Sequence, residues 1–264
     1  MPPLVSVIIL NYHSPEATVR CVRHLLKQSV APKIEILVVD NHSCDDSVGV
    51  FRNRFREFPS VRIIEAPRNL GFGGGCNLGA RFARGDYLLI NNPDKLLEDH
   101  GIEKLVEKID NDDRIGIIGP SLVHGDGTVR SSARAFPRPV DVVAKRSMLS
   151  KIVPGSLDRY LQLRASPGER AVDWVVGGCF LIRRDFFLSL DGFDERFFLF
   201  FEDIDLCRRV HASGKSVLYF PSVTALDRKS RLSEGGVLRL LCSKVGRAHM
   251  KSAGQYFMKW GWGV

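Results

Sequence analysis

The sequence lacks the signatures of several common catalytic chemistries. It has no G-x-x-x-x-G-K-[ST] phosphate loop, no H-E-x-x-H zinc helix and no G-x-S-x-G nucleophile elbow. Those absences exclude P-loop nucleotide hydrolysis, zinc-helix proteolysis and α/β-hydrolase chemistry. Six cysteines (Cys21, Cys44, Cys76, Cys179, Cys207 and Cys242) are scattered without a C-x-x-C pair. Most lie in apolar runs, as small core residues in a reducing compartment would. No stretch approaches the roughly 18 apolar residues of a membrane span. Leu4 to Leu10 is too short, and lacks the basic lead-in, for a signal peptide. Gly71-Phe72-Gly73-Gly74-Gly75-Cys76 imitates a dinucleotide fingerprint, but it ends in cysteine and follows the third strand, not the first. Close approach of backbone to a ligand, or tight helix–sheet packing, is a plainer use of these glycines.

What is present describes a globular α/β chain. Its 264 residues are 44% hydrophobic and 26% charged, enough for one large domain with an ample core. The formal net charge is +8. Residues 130–170 hold nine Arg/Lys against three acids, and residues 226–264 hold eight against two, so the basic surplus is local. Basic segments of this kind suit nucleic acid, a phosphorylated substrate or an anionic membrane surface.

Short continuous apolar runs at Val5–Leu10, Ile34–Val39, Val61–Ile64 and Tyr87–Ile90 predict strands buried on both faces. Helices are expected between them: Ser14-Pro15 to about Gln28, about Asp45 to Glu57, and about Gly74 to Ala83. A helix from about Glu98 to Ile109 and a strand at Ile115–Ile118 continue the pattern, with a hairpin turn at His124–Gly127. The βαβαβαβ alternation predicts an open, mostly parallel sheet with helices on both faces, binding ligands at the carboxyl ends of its strands. Asn11, Asp40, Asn69 and Asp94 fall at those ends. Asn91-Asn92-Pro93-Asp94 closes the fourth strand. A carboxylate there, with phosphates and water, can hold Mg²⁺ or Mn²⁺, although Asp94 could equally cap the next helix after an Asn-Pro turn.

Periodicity fades from about Ser131 to Glu169, which reads as an irregular, mobile, substrate-specific segment. Val172–Ile182 reads as one strand, and Ser216–Phe220 as another. The tail from Leu232 mixes Leu, Val and Met with Arg239, Lys244, Arg247 and Lys251, ending in Tyr256, Phe257, Trp260 and Trp262. It suits either a basic amphipathic helix with an aromatic border at a membrane interface or a helix packed on the domain.

The stretch Phe197-Phe198-Leu199-Phe200-Phe201-Glu202-Asp203-Ile204-Asp205-Leu206-Cys207-Arg208-Arg209 sets three carboxylates directly behind an aromatic run. At about 100° per residue, Asp203 shares a face with Ile204, Leu206, Cys207 and Val210. Asp205 falls nearly opposite, as a solvated partner of Arg209 at i+4. Asp203 at the first helical turn is also where an anion gains from the helix dipole. The acids could be no more than the cap of a helix, or one of them could be chemical.

Taken in order, eight motifs resemble family-2 glycosyltransferases with the GT-A fold. They are Val5–Tyr12, Val38–Ser43, Arg68–Phe72, Asn77-Leu78-Gly79, Asn92-Pro93-Asp94, Gly177-Gly178, Gly192–Phe198 and Glu202–Cys207. The resemblance covers about residues 4–225 and is nearest to rhamnosyltransferase-like bacterial enzymes of O-antigen and other surface polysaccharides. It implies a GT-A catalytic domain at 1–228, with a nucleotide-sugar half (about 1–120) and an acceptor half (about 121–228). A basic C-terminal tail at 229–264 would associate with the membrane. Asn11, Tyr12, Asp40, Asn41, Asn69, Gly71, Asn77 and Asn92 would bind the nucleotide sugar, and Asp94 the metal. Trp174, Gly177, Gly178 and Glu202 would line the acceptor side, with Glu202 also shaping the turn. Asp203 would be the general base that deprotonates the acceptor hydroxyl.

The implied reaction is inverting transfer of rhamnose or another deoxyhexose from a nucleoside diphosphate to a lipid-linked or lipopolysaccharide acceptor, assisted by Mg²⁺ or Mn²⁺. The expected location is cytoplasmic, peripheral on the inner membrane. Two departures stand out. Asn92 replaces the first acid of the D-x-D position, and Thr224-Ala225-Leu226-Asp227-Arg228-Lys229 has no histidine to complete a metal site. Asp227 or a basic residue could take that place. The rival readings are an inactive relative serving as a nucleotide-binding or scaffold module, and a nucleic-acid-binding protein. Against nucleic acid, the sheet strands lack interleaved aromatic and basic residues.

Overall fold

Strands β1 (Val5–Asn11), β2 (Ile34–Asp40), β3 (Val61–Glu65) and β4 (Tyr87–Asn91) lie side by side in the order β3-β2-β1-β4, all parallel. This is a computed structural model, described for residues 3–130, 132–144, 154–162, 168–228 and 243–262. Alternation along each strand splits the core into two layers. Ile8, Leu37, Val39, Leu88 and Ile90 pack on one face of the sheet, and Val7, Ile9, Ile36, Val38 and Leu89 on the other. All are buried, each contributing about 1.5–3 kcal/mol on transfer from water. Helices α1 (Pro15–Leu25), α2 (Ser47–Phe55) and α3 (Gly71–Phe82) connect these strands. Pro15 opens α1 as expected, but Ser14 does not cap it; its hydroxyl donates to the Tyr12 carbonyl instead.

The second half mixes strand directions. After β5 (Lys95–Leu97) and α4 (Gly101–Asp110), β6 (Ile115–His124) turns through a hairpin into β7 (Val129–Arg130). The segment expected to be irregular contains β8 (Ala133–Arg134), α5 (Pro139–Ala144) and α6 (Pro154–Leu161). The rest of that segment, at 131, 145–153 and 163–167, lies outside the described residues. The single strand expected over Val172–Ile182 is divided. It forms β9 (Arg170–Val172), β10 (Trp174–Val175) and β11 (Cys179–Arg183), interrupted by a turn at Gly177-Gly178. Strand β11 is inserted antiparallel between β4 and β6.

Helices α7 (Arg184–Ser189) and α8 (Glu202–Ala212) lead to β12 (Ser216–Asp227), which runs well past Phe220. Pro221 cannot donate to a ladder, and the pairing of β12 with β6 shifts register between Phe220 and Thr224. The strand then resumes and reaches β5 antiparallel.

The tail expectation divides in the same way. Residues 229–242 lie outside the described residues. Helix α9 (Lys244–Trp260) packs on the domain, with Ala253, Tyr256 and Phe257 buried. Two of the aromatics expected at a membrane border therefore face inward: Tyr256 and Phe257 surround Phe201. The outward face carries Lys244, Arg247, Met250, Lys251 and Met258, with Trp262 just beyond.

Candidate active site

The parallel register sets Asn11 beside Asp40 at the carboxyl ends of β1 and β2. Asn11 Nδ2 donates to Asp40 Oδ1 at 2.7 Å, and the Ser43 N–H donates to Asp40 Oδ2 at 2.9 Å. Both side chains are buried, so they fix the loop, while Tyr12 stands half exposed at its rim. Asn41 donates to Asn69 Oδ1 and to the Gly71 carbonyl, and its own Oδ1 accepts the Leu70 N–H. Asn69 Oδ1 accepts the Gly71 N–H. Asn41 and Asn69 thus hold the entry to α3. Gly71 has φ +76°, and a Cβ there would stand 2.2 Å from the Phe198 carbonyl oxygen. That oxygen accepts the Phe72 N–H at 2.9 Å, which ties α3 to the aromatic run ahead of α8.

The Asn77 amide donates to the Phe193 carbonyl and to Glu195, and its oxygen accepts the Phe193 N–H. Its polar atoms are engaged by the 192–195 loop. A cavity of about 570 Å³ on that side of α3, lined by Asn77, Asp194, Arg196 and Lys259 among others, includes none of the groups around Gly177-Gly178.

The Gly177-Gly178 turn is the centre of the site. A Cβ on Gly177 would lie 2.7 Å from Asp203 Cβ, and one on Gly178 would lie 3.2 Å from Lys95 Cε and 3.4 Å from Asn92 Nδ2. The turn is therefore a thin wall with the acid on one side and the strand-end cluster on the other. Backbone bonds fix both sides: the Gly177 N–H donates to Asp203 Oδ2 at 2.9 Å, and the Asn92 N–H to the Gly178 carbonyl at 2.8 Å. Beyond Asn92, Lys95 Nζ bridges Asp94 (2.8 Å) and Asp227 (2.7 Å), and Asp227 also pairs with Arg130.

The three acids of α8 play different parts. Asp203 is half-buried and accepts N–H bonds from Gly177 and Ile204. Burial pushes its carboxyl above the usual range, opposed by those two bonds and by the Arg134 charge. Glu202 is buried, with Oε2 lacking a hydrogen-bond partner, and burial followed by the Asp203 charge pushes it well up. Both carboxyls are therefore pushed up by burial, and Glu202 is pushed further by the neighbouring Asp203 charge. Glu202 is set beside Asp203 at the start of α8, with its Cβ against Gly73.

Asp205 corrects the helical-wheel reading outright. It is fully buried, not solvated. Arg209 Nε (2.8 Å), Lys259 Nζ (2.6 Å) and Trp260 Nε1 (2.8 Å) all meet its carboxylate. Helix α8 is covered on both sides because α9 packs over the face that the wheel assigned to water.

Trp174 is also buried. Its indole donates to the Ala135 carbonyl, and the Arg134 guanidinium lies over its ring, so it forms a wall and not a contact surface. Arg134, Lys95 and Arg130 are the charged groups near the site that the sequence reading missed. Arg134 was hidden in a segment of weak periodicity. The signal for Lys95 was its place next to Asp94.

Groups at the ends of parallel strands face a helix-borne carboxylate across a glycine turn, which is the layout of a nucleotide-sugar transferase of GT-A fold. Comparisons with known proteins agree. The family model for glycosyl transferase family 2 matches residues 6–190. An N-acetylglucosaminyl-diphospho-decaprenol L-rhamnosyltransferase of Mycobacterium tuberculosis is 30% identical over 243 residues, covering 87% of this chain and 78% of that protein. The rhamnosyltransferase WbbL of Escherichia coli K12 is 24% identical, covering 72% of this chain and 70% of that protein. Among solved structures, GalNAc-T7 with UDP, GalNAc and Mn²⁺ aligns with TM-score 0.70 at 16% identity, over 99% of this chain and 50% of the other. A mannosyltransferase of Pyrobaculum calidifontis with GDP-Man and Mn²⁺ aligns at 0.65 and 16%, over 98% of this chain and 65% of the other. The chain belongs to glycosyl transferase family 2 and is a glycosyltransferase of GT-A fold.

Proposed function

We propose that the enzyme transfers rhamnose or a related deoxyhexose from a nucleoside diphosphate to a lipid-linked acceptor, with inversion at the anomeric carbon. The observation that carries this reading is the placement of Asp203 and the Asn92–Asp94 strand end on opposite sides of Gly177-Gly178. In-line displacement needs a base on one side of the sugar and a stabilised leaving group on the other. Relatives named as rhamnosyltransferases support the choice of sugar, and the one named for a diphospho-decaprenol substrate supports the lipid-linked acceptor.

In this reading residues 1–120 hold the donor and 121–228 the acceptor. Tyr12 faces the base and ribose, above the scaffold of Asn11, Asp40, Asn41, Asn69 and Gly71. Asn92 and Asp94 take the diphosphate. Asp203, with Gly177 and Gly178 beside it, takes the proton from the acceptor hydroxyl. Glu202 sits behind it, and Trp174 backs the acceptor wall. A divalent ion fits Asp94 as one protein ligand of an ion held mainly by phosphate and water, because such ions need only one or two carboxylates. Mg²⁺ or Mn²⁺ there would neutralise charge on the departing diphosphate. Asp94 is free to serve only as far as Lys95 releases it.

No helix among the described residues is long and apolar enough to cross a membrane. The outward face of α9, with Lys244, Arg247, Lys251, Met250 and Met258, supports docking on an anionic membrane surface from the cytoplasmic side. The test is a panel of nucleotide sugars with an N-acetylglucosaminyl-diphospho-polyprenol acceptor. Transfer from a nucleoside diphosphate–rhamnose, with NMR showing the inverted linkage, is the expected result. A retained configuration, or no transfer from any deoxyhexose donor, would refute the proposal.

A further inference from the structure

Lys95 is an unusual neighbour for a strand-end acid at a diphosphate site. Its side chain is only 4% exposed, and its ammonium lies 2.8 Å from Asp94 and 2.7 Å from Asp227. The placement is built in by the backbone. Asp227 is paired with Lys95 in the antiparallel β5–β12 ladder, and the Arg228 N–H donates to the Asp94 carbonyl at 3.1 Å. Gly178, without a Cβ, leaves the Lys95 methylenes room beside the glycine turn, with Asn92 in contact on the same side. Arg130 pairs with the second oxygen of Asp227. Two carboxylates and two cations therefore cancel without any added ion.

A divalent ion bridging Asp94 and Asp227 would need the space that Lys95 Nζ holds, and would meet an ammonium already there. No group of three or more His, Cys, Asp or Glu capable of holding a metal occurs among the described residues. An ammonium has three donors and no acceptor, and binds phosphate oxygens well as a point charge.

We infer that Lys95 is a tethered cation of the donor site: it fills the position between Asp94 and Asp227 in the free protein, and gives the enzyme an affinity for nucleoside diphosphates that survives metal removal. This rests on the reading of Asn92–Asp94 as the diphosphate subsite. Metal that arrives with the diphosphate is then an addition to a site that is already cationic. The alternative is a purely structural staple between β5 and β12, which would affect stability alone.

The test is calorimetric titration of the full chain with thymidine, uridine and guanosine diphosphates, in EDTA and in saturating Mn²⁺, for wild type, Lys95→Met and Lys95→Gln. For wild type, the affinity for the preferred nucleotide should change by less than roughly threefold between the two conditions. For either variant it should fall roughly tenfold in EDTA, the worth of one charge-assisted contact, and recover in Mn²⁺. Free Lys95→Met should also bind Mn²⁺ more tightly than wild type by electron paramagnetic resonance, because two acids lose their shared cation. Wild-type binding that disappears in EDTA overturns the inference. So does a variant that melts earlier but shows an unchanged ratio of affinities with and without Mn²⁺. If no nucleoside diphosphate binds in either condition, the donor-site reading falls with it.

Discussion

Replacing Asp205 with Asn separates a buried anchor from a solvated cap. The carboxylate is fully buried and meets Arg209, Lys259 and Trp260. Stripping one partner from a buried ion pair costs about 3–5 kcal/mol, because the other charge is left without compensation. Here both cations have second acceptors: Lys259 reaches Asp194 at 2.8 Å, and Arg209 reaches the Leu190 carbonyl. Their side chains are 24% and 17% exposed, so water relieves part of the loss. We therefore expect a destabilisation of about 2–3 kcal/mol, at or just below the lower bound of that range. For a chain of this size that corresponds to a fall in Tm of roughly 4–12 °C. Thermal melts by circular dichroism read it directly, and a double-mutant cycle with Lys259→Met should show a coupling of at least about 1 kcal/mol. A variant that melts within about a degree of wild type would restore the solvated reading of Asp205 and remove α9 as its partner.

Three further outcomes follow from the site. Asp203→Asn should lower kcat by roughly 10²–10⁴, the usual worth of a general base, while nucleoside diphosphate affinity measured by calorimetry stays put; undiminished turnover would end the base assignment. Glu202 titrates above its ordinary value because of burial and Asp203. Its protonated form therefore stabilises the fold at low pH, and that contribution is lost as pH rises through the raised folded value. Glu202→Gln should flatten the dependence of Tm on pH between the ordinary carboxyl range and the raised folded value, and a curve parallel to wild type would contradict it. Gly177→Ala would push a methyl to 2.7 Å from Asp203 Cβ. Turnover should fall at least about tenfold, with a lower Tm because the clash is with Asp203 Cβ and not with a flexible tip, whereas an equally active alanine variant would place the base elsewhere.

The half of the fold built on buried parallel strands was legible because each strand is a short, unbroken apolar run bounded by polar residues. The site's ordering was legible too, since Asn11, Asp40 and Asp94 sit at strand ends that any parallel sheet would bring to one edge. What failed has specific physical causes. The wheel argument for α8 assumed one packing partner, and α9, whose Trp260 lies 55 residues beyond Asp205, supplies a second. It singled out Asp203 but put Asp205 in water. The strand expected over Ser216–Phe220 runs on, because the ladder absorbs Pro221 at a register shift and carries Asp227 on to Lys95. Asn77 is named through the Asn77-Leu78-Gly79 motif of the resemblance, and nothing local shows that its partner lies 116 residues away. Glycines at 177 and 178 broke a strand that composition alone favoured.

Two consecutive non-glycine residues, Phe200 and Phe201, have φ of +69° just before α8. Such a conformation persists only where surrounding contacts over-determine it. The contacts come from α9: Tyr256 and Phe257 around the Phe201 ring, and Ser252 donating to the Leu199 carbonyl. Helix α9 thus holds the backbone that leads into α8. Anyone grafting the tail of one family member onto another must transplant the 199–201 segment and the start of α8 as well. A chimera that exchanges the tail alone would relax the backbone that aims the base, and would lose turnover before it lost its fold.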